Sequence, residues 1–104
     1  MTNPNRQEIY RVKVNLETAQ IAWKELQRFF ASGAAIHVSD ELDLVEVAFQ
    51  MSEDNAAQIR QWMMSGKLGK VTDEQAAAWL AIDALVWAVV VSPWVLVQPS
   101  GQLQ

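Results

Sequence analysis

The chain has no cysteine among its 104 residues, and a single histidine. The first absence removes disulfides, thiolate metal sites and cysteine nucleophiles together, and it suits a reducing compartment such as the cytoplasm. The second leaves His37 as the lone imidazole, and no nucleophile and orienting carboxylate are spaced around it as a general base would need. Four glycines and three prolines leave little room for low-complexity linkers. Positive charge is also scarce, eight Lys and Arg against twelve Asp and Glu. A net charge of −4 speaks against a nucleic-acid partner, since counterion release needs a basic face. The N-terminal stretch Met1-Thr2-Asn3-Pro4-Asn5-Arg6 is polar and has neither the apolar core nor the small-residue cleavage site of a secretory signal.

What remains is apolar and of one domain's length: 51% of residues are hydrophobic and 19% charged, a globular composition. A single domain over residues 1–98 with a short tail at 99–104 follows. The charge is uneven. Residues 1–39 hold five bases against three acids and residues 40–104 three against nine, which reads as a solvated helix on an acidic remainder.

The first thirty residues read as helix. Ile9, Val12, Leu16, Ala19, Trp23, Leu26 and Phe30 recur at steps of three and four, and Glu, Gln, Lys, Arg and Leu dominate. Tyr10, Val12, Val14 and Leu16 also alternate at strand period, and Asn15 and Thr18 offer a break, so one long helix or two remain open. Gly33 ends the segment as a left-handed residue. Ala34–Val38 reads as a strand, Ser39-Asp40-Glu41 as a turn, and Leu44–Met51 as a second strand with Val45, Val47, Phe49 and Met51 on one face. Together these predict an antiparallel hairpin. Ser52 then caps a helix whose buried face is Ala56, Ile59, Trp62 and Met63, ending at Ser65-Gly66. After a glycine-bounded connector, Thr72 and Gln75 form a capping box at the start of the next helix.

From Trp79 to Val97 almost every residue is apolar, about the length of a membrane span. Asp83 inside the run, Ser92-Pro93 near its end and the absence of any following Lys or Arg count against that reading. The composition shifts from Ala and Leu to Val and Trp, so the run divides into half a helix and two strands, Val86–Val91 and Trp94–Val97. The expected fold is α+β, a small three- to five-stranded, mainly antiparallel sheet with helices mainly on one face.

Candidate chemistry is sparse. Asp40, Glu41, Asp43 and Glu46 form the densest acidic cluster, but without the glycine and loop spacing of a cation site, and they read as a charged hairpin tip. His37 reads as an exposed strand-end residue. Gly66-x-x-Gly69-Lys70 lacks the length and the trailing hydroxyl of a phosphate loop. Asp83, at the helix-to-strand junction, is the one weak carboxylate candidate, and its expected direction is outward. Among five tryptophans, Trp23, Trp62 and Trp79 have helical core spacing, whereas Trp87 and Trp94 flank Pro93 on strands. Trp87, Pro93, Trp94 and Leu96 are therefore the interface or pocket candidates. No catalytic, metal or cofactor residue is assigned.

Three stretches carry a resemblance: Trp23-Lys24-Glu25-Leu26-Gln27-Arg28-Phe29-Phe30-Ala31-Ser32-Gly33, Leu42-Asp43-Leu44-Val45-Glu46-Val47-Ala48, and the run from Trp87 to Gln98. They resemble a family of small bacterial proteins known as a domain of unknown function, over about Leu16 to Gln98. The resemblance implies a stand-alone bacterial, cytoplasmic protein and supplies no activity, cofactor or catalytic residue. The functional expectation is a non-enzymatic interaction domain, self-associating as a homo-oligomer or meeting a protein partner through Trp87–Val97, with no membrane or nucleic-acid partner. The alternative is a small-molecule binding domain or enzyme with a pocket near Trp94 and a carboxylate such as Asp83 or Glu46.

Overall fold

The computed structural model describes residues 6–100. They run as α1 (Arg6–Glu17), β1 (Ala19–Ala22), a 3-10 turn (Trp23–Leu26), α2 (Gln27–Ala31), β2 (Ala35–Val38), α3 (Leu44–Ser52), α4 (Ala56–Met64), β3 (Leu68–Lys70), α5 (Asp73–Ala81), β4 (Leu85–Val91) and β5 (Trp94–Pro99). The strands make one sheet in the order β1-β4-β5-β2-β3. All pairings are antiparallel except β2 with β5, where Ile36 lies opposite Leu96. The fold is α+β with a mainly antiparallel sheet, as expected. No described helix is long and apolar enough to cross a membrane. The C-terminal apolar run divides at the Ser92–Pro93 turn, whose peptide bond is cis. β5 continues to Pro99, and residues 101–104 of the expected tail lie outside the described residues.

Helices cover both faces of the sheet, not mainly one. Neighbouring residues of β5 join different apolar clusters, because successive strand side chains point to opposite faces. Leu96 packs with Val14, Val38, Leu44, Val47, Ala48 and Val89 under α1 and α3. Val95 and Val97 pack with Trp23, Leu26, Ala35, Ala76 and Val86 under the 3-10 turn and α5. Trp23, wholly buried, donates its indole N–H to the Ala76 carbonyl at 3.2 Å and meets Phe30 and Trp79 edge-on.

Three local readings are corrected. Leu44–Met51 is a helix, so the expected hairpin with Ala34–Val38 does not form. Asp43 accepts the Val45 and Glu46 N–H groups as its N-cap, and Leu44, Val47, Ala48 and Met51 then fall on one helical face. Residues 19–22 are an edge strand, not helix; pairing with β4 from Ala88 to Leu85 overrides a weak local preference. Ser52 closes α3 instead of capping α4, whose N-cap is Asn55. The connector at 66–70 also holds the short β3.

The capping box at Thr72 and Gln75 is present. Four helices end alike. After α2, α3, α4 and α5 a residue at positive φ (Gly33, Asp54, Gly66, Asp83) donates its N–H back to the helix, and the next residue donates to a carbonyl one position earlier. This is the Schellman arrangement, for which glycine is the usual residue and short polar side chains the tolerated alternative.

Candidate functional site

α4 is amphipathic in sequence yet none of its nine residues is buried. Ile59 and Trp62 pack partly against the core beneath α3, while Met63 and Met64 are 56% and 81% exposed. The helix thus leans on the molecule along one edge and leaves its methionine edge open. Across from it stands the tip of the β4–β5 hairpin, Val91, Ser92 and Trp94. Between them runs an open groove of about 700 Å³, with Met51, Ile59, Met63 and Met64 along one side and, among the described residues, Asp54 and Arg60 as its only charged lining. A narrower recess of about 220 Å³ shares Met51, Ile59, Met63 and Trp94 and reaches down to Ile36, Leu68 and Lys70. A third hollow, beside Phe29, Gly33 and Pro93, also touches Trp94 and Lys70. Trp94 is the common wall of all three.

The sequence candidates separate. Trp94 and Pro93 border these hollows. Leu96 is wholly buried and presents no surface. Trp87, 38% exposed, sits four ladder positions from the Val91–Trp94 pair, about 13 Å along β4, next to half-exposed Leu85. Val90 is exposed too, but successive strand residues alternate, so it faces away from Trp87. Asp83 points outward, as expected. Its conformation ends α5, and its carboxylate lies 3.9 Å from the Lys24 ammonium.

The acidic cluster is structural, not a hairpin tip. Arg11 donates to Asp43 at 3.1 Å and to Glu46 at 3.0 Å, tying α1 to the start of α3. Burial raises the Asp43 carboxyl, but the Arg11 hydrogen bond and the Val45 and Glu46 N–H groups outweigh it and hold the group below its ordinary range. Glu41 pairs with Lys67 at 3.4 Å. Among the described residues no three His, Asp or Glu side chains converge as a metal site.

His37 is half-buried, not an exposed strand end. Its ring packs on Trp79 with centroids 5.7 Å apart, and Nδ1 lies 3.3 Å from the Gln75 amide nitrogen. Desolvation lowers its pKa against the opposing pull of Asp40. No described carboxylate is buried.

The groove's methionines were missed as site residues because Met63 fits the helical spacing of a core face. The available signal was the Met63-Met64 pair, since adjacent helix positions lie about 100° apart and cannot share one narrow stripe.

A family model described as "Protein of unknown function (DUF2288)" matches residues 9–99. Among solved structures, the chain is similar to the NMR solution structure of PA1075 from Pseudomonas aeruginosa. Identity is 39% and the TM-score 0.79, covering 98% of this chain and 94% of that one. No match is found among the curated proteins.

Proposed function

We propose that this chain, which belongs to the DUF2288 family of proteins of unknown function, is a non-enzymatic protein-interaction module docking its partner in the groove between α4 and Trp94. The observation that carries the reading is α4 itself. Six of its nine residues are apolar, none is buried, and two methionines stand on the lip of a hollow walled by tryptophan. Methionine is unbranched and polarisable, which suits it to seating varied apolar side chains. Covering Met63 and Met64 would contribute about 1–2 kcal/mol each by area removed from water. The groove's one lining carboxylate among the described residues, Asp54, stands exposed in the turn before α4, and the lone imidazole is packed between Gln75 and Trp79 on a different part of the sheet. A bacterial cytoplasmic setting belongs to the same proposal, supported by the Pseudomonas relative and the cysteine-free sequence.

Methionine oxidation tests it. In dilute purified protein, Met63 and Met64 should convert rapidly to sulfoxide under peroxide. In cells that make the protein, a docked partner should slow both relative to the same dose in dilute solution. Equal oxidation in the two settings refutes the docking surface.

The narrow recess favours a second reading, a small apolar ligand seated on Ile36 and Leu68 with an acidic end toward Lys70. Native mass spectrometry of freshly purified protein separates the two, since only this reading predicts a retained small molecule.

A further inference from the structure

We infer that the groove's occupant is a second copy of this chain, packed α4 against α4 about a two-fold axis. The inference rests on the reading of the groove as a protein-docking surface and adds the partner's identity. A two-fold contact uses one patch twice, so that patch must complement itself. This one does so in charge. Asp54 and Arg60 line the same groove, and neither has an ion-pair partner among the described residues. With two copies of α4 antiparallel, each Asp54, just before the helix, comes opposite the partner's Arg60, and the reverse. The salt links then form in symmetric pairs from groups left single in one copy. The rim is neutral as a whole, so it favours neither a strongly acidic nor a strongly basic partner.

The patch also complements itself in shape. The hollow beside α4 needs an apolar filler, and the end of α4 offers one in Met63 and Met64. The antiparallel arrangement carries those methionines over the beginning of the partner's helix, where Met51 lines the groove. Flexible thioether side chains fill an irregular gap of this kind without strain. Of the other exposed apolar residues, Trp87 and Val90 lie on opposite faces of β4, and neither they nor Ile9, Leu80, Ile82 or Leu85 line any of these hollows.

The test is sedimentation velocity on the full chain from about 10 μM to about 1 mM, a range that reports dimers of ordinary transient affinity. The unaltered chain should dimerise with rising concentration. Met64→Glu should abolish the dimer while circular dichroism and melting stay unchanged, because Met64 is 81% exposed in the single copy. Arg60→Glu should weaken dimerisation about tenfold, by turning two symmetric rim pairs from attraction to repulsion. Asp54→Asn is the decisive partner, since asparagine tolerates the φ of 58° there. Alone it should weaken the dimer about threefold, yet in the Arg60→Glu background it should strengthen it by a similar factor. A dimer indifferent to Met64→Glu, or an Asp54→Asn effect of the same sign in both backgrounds, overturns this geometry. A chain monomeric at the highest concentration overturns the second copy. If Met63 and Met64 are nevertheless protected in cells, the docking surface stands with another protein as occupant; if they are not, both inferences fall.

Discussion

Asp43 does two jobs at the start of α3, and they can be pulled apart by substitution. One carboxylate oxygen accepts the Val45 N–H at 2.9 Å and the Glu46 N–H at 3.4 Å; the other accepts from Arg11 at 3.1 Å. The N-cap is worth about 1 kcal/mol. The ion pair adds about 0.5 kcal/mol, because its side chains are 38% and 54% exposed and water screens them. Asp43→Ala should therefore cost about 1.5 kcal/mol, equivalent to a fall of roughly 6–12 °C in Tm for a domain of this size. Asp43→Asn keeps a capping oxygen and loses the charge, so it should cost only about 0.5 kcal/mol. The pH dependence supplies a second handle. The folded carboxyl titrates below its ordinary range, so its charge-dependent stabilisation is complete above the unfolded value, near 4, and fades as pH falls through the folded value. The gap between the unaltered chain and Asp43→Asn should be present at pH 7 and close below about pH 4. Urea denaturation across that series measures it. An Asp43→Ala cost under about 0.3 kcal/mol, or a gap that persists at the acid end, would refute the assignment of cap and charge to this residue.

Leu96→Ala should cost about 3 kcal/mol in urea denaturation, because the side chain is wholly enclosed between α1, α3 and the sheet; a cost under about 1 kcal/mol would remove it from the core. His37 has its folded pKa depressed by burial, so the unfolded chain binds the proton more readily and stability should fall as pH drops through about 6.5. His37→Gln should flatten the stability profile between about pH 7 and 5, and an unchanged slope there would contradict the buried environment.

How much of this was legible depends on whether a local signal had one reading or two. The capping box at Thr72 joins a side-chain acceptor and a side-chain donor at fixed spacing, and no strand reproduces that pattern. It was read correctly and located α5, and with it the division of the apolar run into β4 and β5. Leu44–Met51 carries two periods at once. Val45, Val47, Phe49 and Met51 alternate like a strand, while Leu44, Val47, Ala48 and Met51 repeat like a helix, and the β-branched valines tilt the eye toward the first. The residue that decides is Asp43, a cap before the segment, where the chain also carries other acids that dilute the signal. Residues 19–22 had no strand signal of their own. Their pairing partner, β4, lies more than sixty residues away, and tertiary contacts of that span are invisible to any local window.

The candidate site shifts toward α4 for a related reason. An apolar stretch as dense as Trp87–Val97 looks excessive for a small core if helices cover one face of the sheet, because alternate side chains would then stand in solvent. With helices on both faces most of that excess disappears, leaving Trp87 and Val90 with exposed surface. Val95, Leu96 and Val97 are consecutive and all buried, the first and third against Trp23 and Ala35, the second against Val38 and Val47. Those three are covered by their own chain, while Trp94 at the start of the strand stays half-buried and borders the hollows. The apolar surface on which the proposed docking rests belongs to α4, a helix that reads as ordinary in sequence. Its Ile59 and Trp62 meet the core while Met63 and Met64 pass over the edge of it, and the groove they overhang is closed on its far side by Trp94, the first residue of the strand that seemed to need covering.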